Sequence, residues 1–254
     1  MSNAAQLTPD NVTRDEKTGK WSCPDLIDIF DTMLPLLRTG DPFSFPRYGD
    51  GEWNAIIGKQ GQNCDGHQYF GEMGSRLEET LSSPADEPPP IYMGLQPLSV
   101  SHMHNKIAPY LEGIEWFDAD SLHNASIDGR LGEFVDALTS KRRPIILVGP
   151  EHLESLTFIK PVRTFTSMDA GNDIQILVPD KNCWTHYEQV KELLSQCISP
   201  RCVVLYCCSM MAEVLIHDFA TVKNITQIDC GSVFDPYCGK DSRSYHKKLT
   251  SKAL

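Results

Sequence analysis

An α/β fold, with a mostly parallel sheet covered by helices on both faces, is what this sequence predicts, and three observations carry the expectation. The second half alternates short apolar runs with amphipathic segments of helical period, the pattern of βαβ units. The run Cys202-Val203-Val204-Leu205-Tyr206 is apolar without a break, as expected of a strand buried on both faces. A chain of 254 residues, 41% hydrophobic and 22% charged, is also long and apolar enough to build one large core.

The elements follow in order. Residues 1–20 show no useful periodicity and are expected to be disordered, leaving 21–254 as a single α/β domain. Residues 25–38 read as a helix, with Leu26, Ile29, Phe30, Met33 and Leu37 on one face, Pro35 as a kink and Gly40 as the stop. A strand and turn follow at Phe43-Ser44-Phe45-Pro46, then a polar loop around Gln62-Asn63-Cys64-Asp65-Gly66 and a helix over 71–81. The proline-rich stretch 84–90 reads as a loop, 91–95 as a strand, 101–111 and 129–138 as helices. Strands at 144–148, 174–178, 201–207 and 225–228, with helices at 185–197 and 210–220, complete a Rossmann-like layout. In open parallel sheets ligands bind beyond the carboxyl ends of the strands. That rule directs attention to Asp50 and Glu52, Gly149, 180–182, Ser209 and 229–235.

Composition narrows the function. A formal charge of -11 disfavours a protein that grips nucleic-acid backbone. Lys141-Arg142-Arg143 and the basic residues of 240–252 read as solvated element ends. Nine cysteines contain no Cys-x-x-Cys pair, which argues against a zinc ribbon or a dithiol site and for free thiols, several of them core residues. No apolar run is long enough to span a membrane, and the polar opening lacks a signal-peptide core, so cytoplasmic residence is the expectation. The Gly-x-Gly-x-x-Gly and Walker loops are both missing, which lowers the case for a nicotinamide or ATP enzyme. The eight histidines, His102, His104 and His186 among them, show no metal-ligand spacing.

The most informative stretch is Arg47-Tyr48-Gly49-Asp50-Gly51-Glu52. In an extended segment residues i and i+2 project to one face, so Asp50 and Glu52 would offer oxygens to one cation, with Gly51 leaving the space between them open. Hard carboxylate oxygens suit magnesium or manganese, ions that often use only one or two protein carboxylates and fill their shell with water and phosphate oxygens. The competing reading is an ordinary Asp-Gly turn with solvated flanking charges.

This hexapeptide resembles the Arg-aromatic-Gly-Asp-Gly-Glu stretch of the GT-D-type glycosyltransferases, whose Asp-x-Glu motif binds metal. Further similarity lies in Asn63-Cys64-Asp65-Gly66-His67-Gln68-Tyr69, in Val178-Pro179-Asp180-Lys181-Asn182-Cys183, in the turn and helix from Ser209 to Phe219, and in Ile228-Asp229-Cys230-Gly231-Ser232-Val233-Phe234-Asp235. The order is that of the family, and only the first motif is specific. Two departures stand out: the family's Gly-Pro-Thr is Cys208-Ser209-Met210 here, and its closing His is Ser232.

The resemblance implies a GT-D-like fold and a nucleotide-diphosphate sugar donor, uridine-linked, with a divalent cation on the diphosphate. Asp50 and Glu52 are then the metal ligands, and Arg47, Gly49 and Gly51 contact phosphate. Tyr48 either stacks on the base or packs inward. Asn182 and Ser209 bind donor groups or simply cap helices. Asp235, or else Asp229, takes the acceptor's proton, the alternative being a turn or cap role for each. Trp53 and Trp184 either cover a sugar or lie in the core. The competing functions are a metal-dependent phosphohydrolase on the same carboxylates and a degenerate domain that binds a nucleotide sugar without turnover. The sequence carries nothing that identifies the acceptor, be it sugar, protein, lipid or nucleobase, or the oligomeric state.

Overall fold

The computed structural model describes residues 5–7, 11–82, 88–159 and 173–249. Most of the stretch 84–90, expected as a loop, lies outside them. The elements in chain order are β1 (Ala5–Gln6), β2 (Thr13–Arg14), β3 (Trp21–Ser22), α1 (Phe30–Thr39), β4 (Ser44–Phe45), β5 (Arg47–Tyr48), α2 (Asp50–Ile56), α3 (Gly71–Glu79), β6 (Met93–Leu95) and α4 (Pro97–Leu111). They continue with β7 (Glu115–Asp118), α5 (Ser121–Ile127), α6 (Leu131–Thr139), β8 (Ile145–Gly149), β9 (Ile174–Leu177), α7 (Tyr187–Cys197), β10 (Val203–Tyr206), α8 (Met211–Asp218) and β11 (Thr226–Asp229).

The expected α/β class is the one observed: a mostly parallel sheet flanked by helices. One group of strands runs β4-β11-β10-β8-β9, all parallel, and a second runs β1-β7-β6-β5, parallel except for β1. Residues 44–48 join them as one broken strand. Phe45 is in register with Ile228 on one side, and Tyr48 with Leu95 on the other. Pro46 at the break has no N–H to donate, but its carbonyl accepts from the Gly94 N–H at 2.9 Å.

Burial explains the uninterrupted apolar strands. Along β10, Val204 and Tyr206 pack into one core layer with Trp53, Trp116 and Leu215. Val203 and Leu205 pack into the other with Phe45, Ile228 and Phe234. Successive side chains of a strand point to opposite faces, so both faces must be apolar when both are covered.

Several expectations need correction. Of residues 1–20, the described ones, 5–7 and 11–20, belong to the fold: β1 pairs antiparallel with β7, β2 pairs with β3, and Leu7 and Val12 are buried. The first helix starts at Phe30 rather than 25, because Asp28 Oδ1 accepts the Phe30 N–H at 2.8 Å and supplies one of the donors a helix start leaves unmet. Pro35 sits inside that helix without ending it, and Gly40 (φ 81°) stops it as expected. Strand β7 and helix α5 were not foreseen, nor was α2, which occupies the place expected to be a turn. No helix among the described residues is long and apolar enough to cross a membrane.

Candidate active site

A cleft of about 880 Å³ opens along the carboxyl edge of the sheet. It is lined by residues that follow β5 (Gly49, Asp50), β6 (Gln96), β7 (Asp120), β8 (His152), β10 (Ser209) and β11 (Gly231). Strand ends of a parallel sheet converge there by topology, and the backbone groups they leave unpaired make the edge a natural polar site.

The turn after β5 sets the floor. Gly49 is extended, Asp50 opens α2, and Glu52 curls back so that its Oε2 accepts the Gly49 N–H at 2.8 Å. That bond is half of a capping box, which is why these residues start a helix instead of staying extended. The geometry predicted for the two carboxylates is therefore corrected. On a helix, residues two apart diverge by about 200°, so Asp50 and Glu52 do not share a face. Both line the cleft, Asp50 exposed at its mouth and Glu52 turned inward.

Beneath them lies a buried acidic cluster around one guanidinium. Arg47 donates from Nε to the Ala119 carbonyl at 2.5 Å and stands 3.7 Å from both Asp229 and Asp120. Its backbone N–H reaches Glu213 Oε1 at 3.4 Å. Gly231 makes this seat available: its φ is +52°, and a Cβ there would lie 2.4 Å from Arg47 Nη1. Burial works against the Arg47 charge, but Asp229 and Asp120 outweigh it and hold the pKa above its ordinary value.

The acids bear the opposite effect. Burial, aided by repulsion from Asp229 and Asp50, pushes Glu52 up to about 7. Burial and the neighbouring Asp229 and Glu52 push Glu213 well above the usual carboxylate range. Asp229 is raised by burial, with Arg47 and the Gly231 N–H, 2.8 Å from its Oδ1, pulling the other way. A surplus of buried carboxylate crowds one arginine, an arrangement that added positive charge would relieve.

His123 completes the inner wall. Its Nδ1 lies 3.1 Å from Arg47 Nη2, and arginine can only donate, so Nδ1 is the acceptor and the neutral ring carries its proton on Nε2. Burial first, then Arg47, pushes the imidazole down to about 4.

The outer wall is mostly half-buried and tied across the opening. Arg243 forms a bidentate pair with Asp65, and Lys240 reaches Asp180 at 3.0 Å. His152 Nε2 meets Asp235 Oδ1 at 2.9 Å, and Ser242 donates to Asp235 Oδ2 at 2.5 Å. Tyr245 covers His123, ring centres 5.0 Å apart.

Of the residues singled out in the sequence, Arg47, Gly49, Asp50, Gly51, Glu52, Ser209, Asp229 and Asp235 line this cleft. Tyr48 does not: its ring is packed inward, fully buried against Trp53 and Trp116, and its hydroxyl meets Thr80. Asn182 is also not a lining residue; its Oδ1 accepts the Gln68 N–H at 2.8 Å, and no side-chain cap is formed. Ser209, at φ 53°, is no cap either: its hydroxyl accepts from Asn63 Nδ2 at 3.2 Å. Trp53 and Trp184 are core residues, the latter stacked on Tyr187.

Sequence reading missed Glu213, Asp120, His123, His152 and Arg243. Glu213 carried a usable signal, a lone acid among Met211, Ala212, Val214, Leu215 and Ile216, because such an acid is buried only for a reason. Among the described residues no three His, Cys, Asp or Glu side chains form a ready ligand set for a metal ion.

No family model and no curated protein matches the sequence. Two solved structures resemble it in fold. One is a selenomethionine-substituted domain of unknown function 1792, at TM-score 0.55 and 17% identity over 80% of this chain and 77% of that one. The other is the same domain, described as having a distinct glycosyltransferase fold, at TM-score 0.57 and 15% identity over 89% of this chain and 88% of that one. This chain shares that glycosyltransferase fold. The cleft described above sits at the carboxyl edge of the sheet.

Proposed function

We propose that this protein is a divalent-cation-dependent glycosyltransferase that takes a sugar from a nucleotide-diphosphate donor, uridine-linked, and passes it to an acceptor hydroxyl. The observation that carries the reading is the Arg47 seat: a guanidinium held among carboxylates at the carboxyl edge of a sheet with a glycosyltransferase fold. A diphosphate needs opposing positive charge; with Arg47 outnumbered by buried carboxylates, most of that charge would come from a cation bound beside them, and Arg47 would hold the cluster in a fixed arrangement.

Asp50 and Glu52 are the residues that would hold magnesium or manganese. The fit is one of chemistry: both offer hard oxygens to the cleft, and the burial and neighbouring carboxylates that lift Glu52 are effects a bound cation would oppose. Bound there, the ion would act as a Lewis acid on the departing diphosphate. Arg47 and the Gly51 backbone would complete the phosphate contacts, the Gly49 N–H being engaged by Glu52.

In the transfer the acceptor oxygen bonds to the anomeric carbon while the bond from that carbon to the diphosphate breaks and its electron pair leaves with phosphate. The acceptor proton goes to Asp235, which His152 and Ser242 hold in place. Asp229, occupied by Arg47 and Gly231, is a positioning residue rather than the base.

Titration calorimetry with uridine diphosphate and manganese tests the reading. Binding that needs manganese and disappears in Asp50→Ala and Glu52→Ala supports it. A folded protein that binds no nucleoside diphosphate overturns it. Release of free phosphate without sugar transfer would instead identify a phosphohydrolase.

A further inference from the structure

A second cavity, of about 690 Å³, adjoins the cleft. The two share Asp50, Gln96 and Leu98 in their walls, and Leu98 is 61% exposed on the ridge between them. The far wall is built by the β2–β3 hairpin and the first turns of α4, and it carries Trp21, Ser99 and Lys106, with Lys59 entering from beyond α2.

Two features of this cavity bear on its role. In a chain of net charge -11, its lining holds Lys59 and Lys106 against a single acid, Asp50. No ion pair engages either lysine among the described residues. Trp21, half-buried, lines the cavity with the part of its indole that His104, ring centres 4.3 Å apart, leaves uncovered.

We propose that this cavity is the acceptor subsite, and that the acceptor is an anionic, hydroxyl-bearing molecule of the phosphorylated or carboxylated sugar class. The assignment rests on the transferase reading above. The lysines meet the anionic group, and Leu98 and the uncovered part of Trp21 border the sugar body. The reactive hydroxyl then crosses the ridge at Asp50 and Gln96 toward the donor.

The experiment uses glucose 6-phosphate as probe, with glucose as the neutral control, and follows the Trp21 indole N–H by NMR, assigned with Trp21→Phe. Saturable movement by glucose 6-phosphate at roughly tenfold or more lower concentration than glucose is expected. The exposed double variant Lys59→Glu/Lys106→Glu should weaken that response by about tenfold or more while leaving uridine diphosphate affinity within about twofold. A Trp21 signal that no probe moves, or that glucose moves equally, overturns the subsite, as does a double variant with unchanged response. Uridine diphosphate binding in the same sample separates the two readings. If it binds and Trp21 stays silent, the subsite alone falls; if it does not bind, the transferase reading falls and the acceptor role with it.

Discussion

Arg47 and Arg243 face acids across the same cleft on opposite physical terms. The Arg47 side chain is 11% exposed and its partner Asp229 9%, with Glu213 sealed behind them. Arg243 is 29% exposed and its partner Asp65 27%. Water screens the outer pair, so its members can separate cheaply. The inner charges are held in place by one another, because removing one leaves an uncompensated buried charge. The comparison suggests a division of labour: the inner cluster is a fixed electrostatic template, and the outer pairs form a fastening that can open for ligands.

The sharpest way to break this contrast is Arg47→Ala. With the guanidinium gone, Asp229 and Glu213 remain buried without it, and the expected destabilisation in a urea titration is about 3–5 kcal/mol. Uridine diphosphate binding should vanish in whatever fraction stays folded. Arg47→Lys should recover part of the stability and little of the binding, since a lysine cannot reach Ala119, Asp229 and His123 together. An Arg47→Ala protein of unchanged midpoint would show that the cluster is not a template.

Gly231→Ala perturbs the same cluster from outside. The new Cβ would meet Arg47 Nη1 at 2.4 Å from a left-handed backbone position, so a loss of about 1–3 kcal/mol is expected. The guanidinium must move, so donor affinity should fall as well. Stability lost with affinity intact would mean that Arg47 can yield without consequence.

The pH response separates the regions further. His123 has a folded-state pKa of about 4, below its ordinary 6.5, because burial and Arg47 keep it neutral. The unfolded chain takes up that proton first, so the His123 contribution to stability is complete above pH 6.5 and is lost as pH falls toward 4. In His123→Gln, that part of the slope of unfolding free energy against pH between 6.5 and 4 should disappear. An unchanged slope would place the titration elsewhere.

Legibility in the sequence followed the same divide between interior and rim, for reasons tied to particular residues. Strands β8 and β10 were readable because two covered faces demand unbroken apolar runs. Strand β7, Glu-Trp-Phe-Asp, hides its two buried aromatics between acids, and α5, Ser-Leu-His-Asn-Ala-Ser-Ile, is too polar and short to show a period. The Asp50-Gly51-Glu52 stretch reads as a turn because Gly51 is a poor helix former, and only the capping bond from Gly49 to Glu52 tips it into a helix. The motif did locate the cleft, since strand ends gather by topology. It could not reveal that Asp120 and His123 arrive from α5 and its preceding turn, or that residues 240–248 fold back over the opening, because those placements depend on long-range packing.

The smallest expected effect is at the fastening. Arg243→Ala removes the half-buried pair with Asp65, so stability should change by about 1 kcal/mol, well short of the loss at Arg47. Its consequence lies in access. Arg243 and Lys240 tie residues 240–248 to the opposite wall at Asp65 and Asp180, and Tyr245 of that segment covers His123. Releasing one tie should speed protection loss in the amide hydrogen exchange of 240–248 while leaving that of β10 and β11 unchanged. Raising the salt concentration should do the same to the wild-type protein, because screening weakens exposed pairs more than buried ones. If Arg243→Ala instead loosened β10 and β11, the outer pair would belong to the same cooperative unit as Arg47, and the contrast between template and fastening would fail.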